Sequence, residues 1–330
     1  MNGQEYLRQK HAQLDLGVCD EVDGKLVIKA EYQQLGCPYC QTSDGLPYRN
    51  DYLTKGLTYS RCRTCSLVYP SPRLNQTALD IRVDSEATNK YYEWRHQAQP
   101  AAVDLPRPPA RREFRRELKY LEQFYPLNQV RSPKVLEVGC ADGAFLSELA
   151  RHECQVTGVE PNRASANTAR QRGLEIVPEL FKPRVSLGSA TFDLVVMRET
   201  LYHFFDVRQA LVQSRDLLRT GGTLYIKCFN VDSFAIRHFA SASGGINGLD
   251  IPCNFSPKAI KYILEDAGFE VLGFLRFPEA PLGDYLLKWD ILRHPLFRYP
   301  RGVLNRAISG WLMPLGQSRN FAVTARKSTA

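Results

Sequence analysis

The 330-residue chain contains no run of eighteen apolar residues, so no membrane-spanning helix is predicted. Its first ten residues lack the apolar core of a secretory signal, which predicts a cytoplasmic protein. In a reducing compartment the nine cysteines read as thiols or metal ligands rather than disulfides. Internal repeats and low-complexity blocks are absent, and the length suits one main domain with a smaller one. Acidic residues are missing from the last forty positions, where Arg293, Arg298, Arg301, Arg306, Arg319, Arg326 and Lys327 stand. The net charge of +8 is therefore concentrated there, leaving +1 on residues 1–290. Such an asymmetry speaks of partners rather than of fold.

Two C-x-x-C pairs, Cys37-Pro-Tyr-Cys40 and Cys62-Arg-Thr-Cys65, are separated by 21 residues. That spacing predicts a zinc ribbon over about 34–72, with the four thiolates closing a structural tetrahedral site. Leu57–Arg61 and Leu67–Tyr69 read as the strands entering and leaving the second knuckle. Glycine often follows the second cysteine of such a knuckle, because φ is positive there; here Gln41 and Ser66 occupy those places. Redox or disulfide use is the competing reading of the pairs.

Residues 97–110 are proline-rich and predict a connector between an N-terminal segment, 1–96, and a second unit, 111–330. Arg111–Tyr125 reads as an amphipathic helix with Phe114, Leu118, Leu121 and Phe124 on one face. Strands are then predicted at Lys134–Val138, Gln155–Val159, Leu174–Val177, Phe192–Met197, Gly222–Cys228, Glu270–Leu275 and Phe321–Arg326. Helices are predicted at Ala144–His152, Arg163–Arg172, Val207–Leu218 and Pro257–Ala267. The alternation implies an α/β, doubly wound, seven-stranded parallel Rossmann-like sheet behind the N-terminal zinc ribbon.

The first strand of that sheet runs into Glu137-Val-Gly139-Cys140-Ala141-Asp142-Gly143, and the second ends at Glu160-Pro161. Glycines at 139 and 143 let the backbone turn sharply beside a ligand. Glu160 lies 21 residues beyond Gly139, near the offset at which an acid meets a ribose diol. The middle glycine of G-x-G-x-x-G, which admits a pyrophosphate, is missing, so a nicotinamide or flavin site is disfavoured. The acid at Glu137 suits instead the ammonium and sulfonium of S-adenosylmethionine. A ligand-free strand–helix packing turn remains the alternative. Beyond the fourth strand, Arg198-Glu-Thr-Leu-Tyr202-His203 faces the expected pocket. His203 is the first candidate for a general base and Tyr202 a second, as donor or orienting group; a capping or packing role for His203 stands beside that reading. No Asn/Asp-Pro-Pro-Tyr/Phe follows this strand, which disfavours N-methylation of adenine or cytosine.

Glu137-x-Gly139-x-x-x-Gly143 with Glu160 resembles motifs I and II of the class I S-adenosylmethionine-dependent methyltransferases. With the cysteine pairs, Leu67-Val-Tyr-Pro70, Pro72-Arg73, Tyr91-Tyr92, Thr200-Leu-Tyr-His203 and Phe255-Ser-Pro-Lys-Ala-Ile260, the chain resembles methyltransferases bearing an N-terminal zinc-ribbon-like segment. These are related to the sugar C-methyltransferases of polysaccharide and natural-product gene sets. The resemblance implies that Glu137, Gly139, Gly143 and Glu160 hold the donor, with His203 beside the transferred methyl. Cys140, Ala141, Asp142, Pro161 and Arg198 complete the set expected around it. Tyr202 stands where such proteins usually carry Glu, so their acid–base assignments do not transfer. No counterpart of the large C-terminal half of the sugar C-methyltransferases is expected here.

An insertion is predicted at about 278–320 between the last two strands, rich in aromatics, aliphatics and arginines. Two uses are open: a lid or dimer face, or peripheral contact of residues 284–313 with an anionic membrane at its inner face. The expected acceptor is a small glycosidic, sugar-nucleotide or lipid-linked molecule, methylated at oxygen or carbon. The alternative is a zinc-ribbon RNA methyltransferase, although residues 1–290 are nearly neutral. A catalytically idle adaptor, binding a partner through the ribbon, is the third reading.

Overall fold

A computed structural model describes residues 19–22, 25–50, 57–98, 108–183, 185–187, 191–233, 236–237, 251–277, 318 and 320–328. The expected insertion at 278–320 lies almost wholly outside the described residues, as do 99–107 of the expected connector.

From the N-terminus come β1 (Cys19–Val22), β2 (Lys25–Ile28), β3 (Tyr32–Gln33), β4 (Gly45–Asn50), β5 (Thr58–Cys62), β6 (Val68–Ser71) and β7 (Arg73–Leu74). β1 pairs with β2, β3 with β7, and β4–β5–β6 form a three-stranded antiparallel sheet. Two helices follow, α1 (Gln76–Val83) and α2 (Glu86–Ala98). Neither is legible as an amphipathic stripe; α2, Glu-Ala-Thr-Asn-Lys-Tyr-Tyr-Glu-Trp-Arg-His-Gln-Ala, is largely polar. Tertiary polar contacts hold it instead, because the buried Asn89 carboxamide oxygen accepts from the Asn162 amide at 3.2 Å and from Ala164 N–H at 3.0 Å. α3 (Pro108–Leu121) starts within the predicted connector and stops before Tyr125. Proline is tolerated at that start because a first-turn N–H has no intrahelical partner.

The main sheet is built by β8 (Lys134–Val138), β9 (Gln155–Val159), β10 (Glu175–Val177), β11 (Phe192–Arg198), β12 (Leu218–Phe229), β13 (Phe269–Arg276) and β14 (Asn320–Lys327). Between them run α4 (Ala144–Arg151), α5 (Arg163–Gln171), α6 (Val207–Leu217) and α7 (Pro257–Asp266). Spatial order is β10-β9-β8-β11-β12-β14-β13, parallel except for β14, which is antiparallel to both neighbours. Predicted and observed boundaries agree to within one residue except at the start of β12, which begins four residues before Gly222. The agreement has a physical source: strands covered on both faces must be apolar throughout, and helices between them must show one apolar stripe.

Alternation along the strands separates two cores. Val135, Leu194, Val196 and Tyr225 face α3 and α4, whereas Leu136, Val195, Met197 and Ile226 face the layer of α6 and α7. Cys37, Tyr39, Cys62 and Cys65 belong to the second core, so the cysteine knuckles pack on the sheet's own helices. Val207 N–H donates to Pro38 O at 3.3 Å, the Tyr39 hydroxyl donates to Ile263 O at 3.1 Å, and Val68 bridges to Asn254.

Candidate functional site

β8 and β11 are adjacent parallel strands whose connections leave on opposite sides, and this is where a doubly wound sheet opens a crevice at its carboxyl end. The β8–α4 turn needs left-handed backbone at Gly139 (φ 71°), Ala141 (φ 49°) and Gly143 (φ 73°). The two glycines serve different neighbours. A Cβ at Gly139 would lie 2.5 Å from the Thr200 side chain, whereas one at Gly143 would meet Leu174 at 2.4 Å. Gly139 thus brings the turn against the end of β11, and Gly143 packs the start of α4 against α5. Cys140 is buried in the space left by Gly158, and Asp142 pairs with Arg172 at 2.9 Å.

Glu137 continues the row of β8 that faces α3, and it is buried. Its Oε2 has no hydrogen-bond partner among the described residues. Burial pushes its carboxyl up to about 8, a rise that nearby Arg198 opposes and that Glu117, Asp142 and Glu160 assist. Glu160, at the end of β9, accepts from the Ala141 and Asn162 N–H groups, each at 2.9 Å. Burial still raises it to about 7 against those two bonds. A cationic ammonium would satisfy Glu137 and draw it to the ionised form, and the remaining lone pairs of Glu160 can accept from a diol. The residues therefore fit S-adenosylmethionine.

Arg198, expected on the donor, grips Glu117 with two hydrogen bonds of 2.8 Å and stacks on Phe114 and Phe145. Its row on β11 faces α3, from which Glu113 and Glu117 descend one turn apart. Lys227, buried on β12, pairs with Glu113, with Glu117 at 3.4 Å and with Glu199 at 3.1 Å. Tyr225 adds a hydrogen bond to Glu117 at 2.9 Å. Burial opposes ionisation of Glu117, but Arg198 and then Lys227 outweigh it and hold the carboxyl below its usual range. The network was missed from sequence; its signal was a glutamate, Glu117, beside Leu118 and Leu121 on the buried side of α3.

An open cleft lies above the ends of β8, β9 and β11. Gly139, Val159, Pro161, Phe181 and His203 line it, and α1 supplies an opposite wall through Leu79, Asp80 and Val83. Asp80 is tied across the cleft to Lys182. The α1–α2 corner is fixed to α5 by the Asn162 amide donating to Val83 O and by Arg163 pairing with Asp84 at 2.9 Å. The α1 wall was also missed from sequence, since nothing in its periodicity marks it. His203 is exposed on the wall, on a single 3-10 turn at Leu201–His203. Tyr202 does not line the cleft; its ring is buried against Phe229, with centroids 5.3 Å apart.

The four expected metal ligands do converge. The sulfurs of Cys37, Cys40, Cys62 and Cys65 lie within 4.8 Å of one another, with Cys37 and Cys65 at 3.5 Å. A tetrahedral zinc with bonds of about 2.3 Å needs sulfurs roughly 3.8 Å apart, so the set fits that ion. Gln41 (φ 58°) and Ser66 (φ 62°) adopt the left-handed conformation despite their side chains. Each knuckle is closed by a backbone hydrogen bond, Gln41 N–H to Cys37 O at 2.8 Å and Ser66 N–H to Cys62 O at 3.0 Å.

Strand order, carboxylate-flanked turn and cleft together define a methyltransferase fold of the class I, S-adenosylmethionine-dependent type. A family described as a methyltransferase domain matches residues 109–273, half of the chain, and the chain belongs to that family. It is 30% identical over 146 residues to a ubiquinone biosynthesis O-methyltransferase of Coxiella burnetii, covering 43% of this chain and 58% of that one. To the protein of the same name from Histophilus somni it is 29% identical over 123 residues, covering 34% of this chain and 51% of that one. The chain thus spans little more than half the length of these relatives. Among solved structures, a methyltransferase from Archaeoglobus fulgidus described as SAM-dependent aligns with a TM-score of 0.49 and 17% identity, over 72% of this chain and all of that one. A putative sarcosine dimethylglycine methyltransferase from Galdieria sulphuraria aligns with a TM-score of 0.49 and 14% identity, over 73% and 98%.

Proposed function

We propose that this chain moves a methyl group from S-adenosylmethionine to an oxygen or carbon of a small hydroxyl-bearing acceptor, glycosidic or lipid-linked. The observation that carries the reading is the orphaned, buried carboxylate oxygen of Glu137 beside the Gly139 turn. In this reading Glu137 takes the donor's ammonium and Glu160 its ribose diol, while Pro161 and Phe181 form apolar walls. The donor supplies an electrophilic methyl on sulfur, so the protein's remaining tasks are alignment and removal of one proton. His203 is the group on the cleft wall suited to take that proton near neutral pH. Tyr202, buried behind it with ring centroids 4.5 Å apart, orients His203 rather than moving a proton. Oxygen is favoured over carbon by the O-methyl transfer named for the relatives. The cysteine cluster holds a structural zinc ion.

Calorimetry with S-adenosylhomocysteine on the full, metal-loaded chain tests the donor site, and absence of binding heat would refute it. Mass spectrometry for one added methyl across sugar, sugar-nucleotide and lipid-linked acceptors then tests the acceptor class. His203→Ala is expected to lower turnover by about 10²- to 10⁴-fold with donor affinity little changed. Retained turnover would remove His203 from the chemistry.

A further inference from the structure

Arg73 is 4% exposed, yet its Nε and Nη1 have no hydrogen-bond partner among the described residues. Its Nη2 donates to Gly36 O at 3.2 Å, one residue before the first cysteine ligand. A buried guanidinium so poorly paired is costly unless a negative charge lies close by. Burial works against its charge, and Cys253, Cys37, Tyr69 and Asp206 are the leading groups among the described residues that favour it. Cys253 uses its thiol as a donor to Phe204 O at 3.3 Å, and a phenol such as Tyr69 is neutral near pH 7. Asp206 caps α6, accepting from Gln209 N–H at 2.9 Å; it brings a single charge and makes no hydrogen bond to the guanidinium among the described residues. The cysteine cluster remains. Four thiolates around one divalent zinc carry a net charge of −2, the missing counter-charge.

The other face of Arg73 lies 4.4 Å from the centroid of the Phe205 ring, and Phe205 lines the donor cleft. The same stretch is pinned to the knuckle at Pro38, which accepts from Val207 N–H. We propose that Arg73 is a positioning residue, the internal counter-ion of the metal tetrathiolate, and that its stacking on Phe205 couples metal loading to donor affinity. This rests on the metal and donor readings above. Loss of the metal strands the guanidinium charge, and Arg73 then shifts toward other acceptors and takes the cleft wall with it.

The test compares the full wild-type chain with Arg73→Met, Arg73→Lys and Phe205→Leu. Zinc release is followed with a chromogenic chelator, and S-adenosylhomocysteine affinity by calorimetry. Arg73→Met is expected to weaken zinc retention about 10- to 100-fold, the usual scale for an outer partner of a metal site. Arg73→Lys keeps the charge and restores most of the retention. Phe205→Leu keeps zinc but weakens donor affinity about 5-fold or more, the low end of coupling between sites. Zinc stripping of the wild type should weaken donor affinity similarly, with recovery on adding zinc back. Unchanged zinc retention in Arg73→Met overturns the counter-ion role, and unchanged donor affinity in Phe205→Leu or the stripped chain overturns the coupling. Should Arg73→Met fail to fold, the Phe205→Leu and stripping measurements still decide. A wild type that binds neither zinc nor S-adenosylhomocysteine would instead refute the underlying site readings.

Discussion

At the carboxyl ends of β11 and β12, Glu117 and Glu199 are held ionised by Arg198 and Lys227. One strand away, at the ends of β8 and β9, Glu137 and Glu160 are pushed toward protonation by burial, with no cation bonded to either among the described residues. Both regions are acid clusters over the same sheet, buried except for the partly exposed Glu199. The first is saturated with hydrogen bonds and serves as framework, joining α3 to the strand ends. The second is left short of one cation, which is what a preorganised site for an ammonium requires. An acid's partners, rather than its burial, separate scaffold from site.

The largest effect should come from breaking the saturated side. Glu117→Gln leaves Arg198 and Lys227 short of their shared carboxylate and should cost about 3–5 kcal/mol of stability. Chemical denaturation measures this, and a loss under about 1 kcal/mol would show the network to be ornamental. Glu137→Gln touches the other side. It should leave the fold intact and weaken S-adenosylhomocysteine binding by about 1.5–3 kcal/mol, the worth of a charged hydrogen bond. Equal donor affinity in that variant would erase the distinction between the regions.

pH separates them again, with opposite signs. Glu137 and Glu160, raised to about 8 and about 7, keep protons in the folded chain that an unfolded carboxyl near 4.5 has lost. Their stabilising contribution is therefore full below about 4.5 and is lost as pH rises toward 8, at up to about 1.4 kcal/mol per pH unit for each proton. Glu117, lowered, contributes above the unfolded carboxyl range and loses its contribution as pH falls. Thermal melts of the donor-free chain from pH 5 to 9 should show a decline that Glu137→Gln flattens; an unchanged slope would mean that Glu137 does not hold the proton. The smallest effect is expected at Asp142, which sits in the turn but is paired with Arg172. Asp142→Asn should change stability by at most about 1 kcal/mol, the scale of a partly exposed ion pair, and donor affinity hardly at all. A large loss of donor affinity would place Asp142 on the ligand.

Much of this was written in the chain. The strands and helices from Lys134 to Asp266 follow from apolar runs, one-sided stripes and caps such as Asn162, Asp206 and Ser256, all local signals. The four cysteines were legible because metal-ligand spacing is itself local. α1 and α2 were not, because their stability comes from polar contacts to α5 nearly eighty residues away. The same holds for Arg198. Its position at a strand end suggested a ligand contact, and only packing against α3 shows the guanidinium already occupied.

Residue order alone determined the alternating elements, the cysteine spacing and the acid-flanked turn, because each is set by periodicity or by neighbours close along the chain. Tertiary structure alone decided which acids are paired. Glu117, Arg198 and Lys227 are far apart in sequence and meet only when α3 lies across β11 and β12. Whether a buried carboxylate is framework or binding site depends on the cations that folding brings to it, and those come from distant parts of the chain.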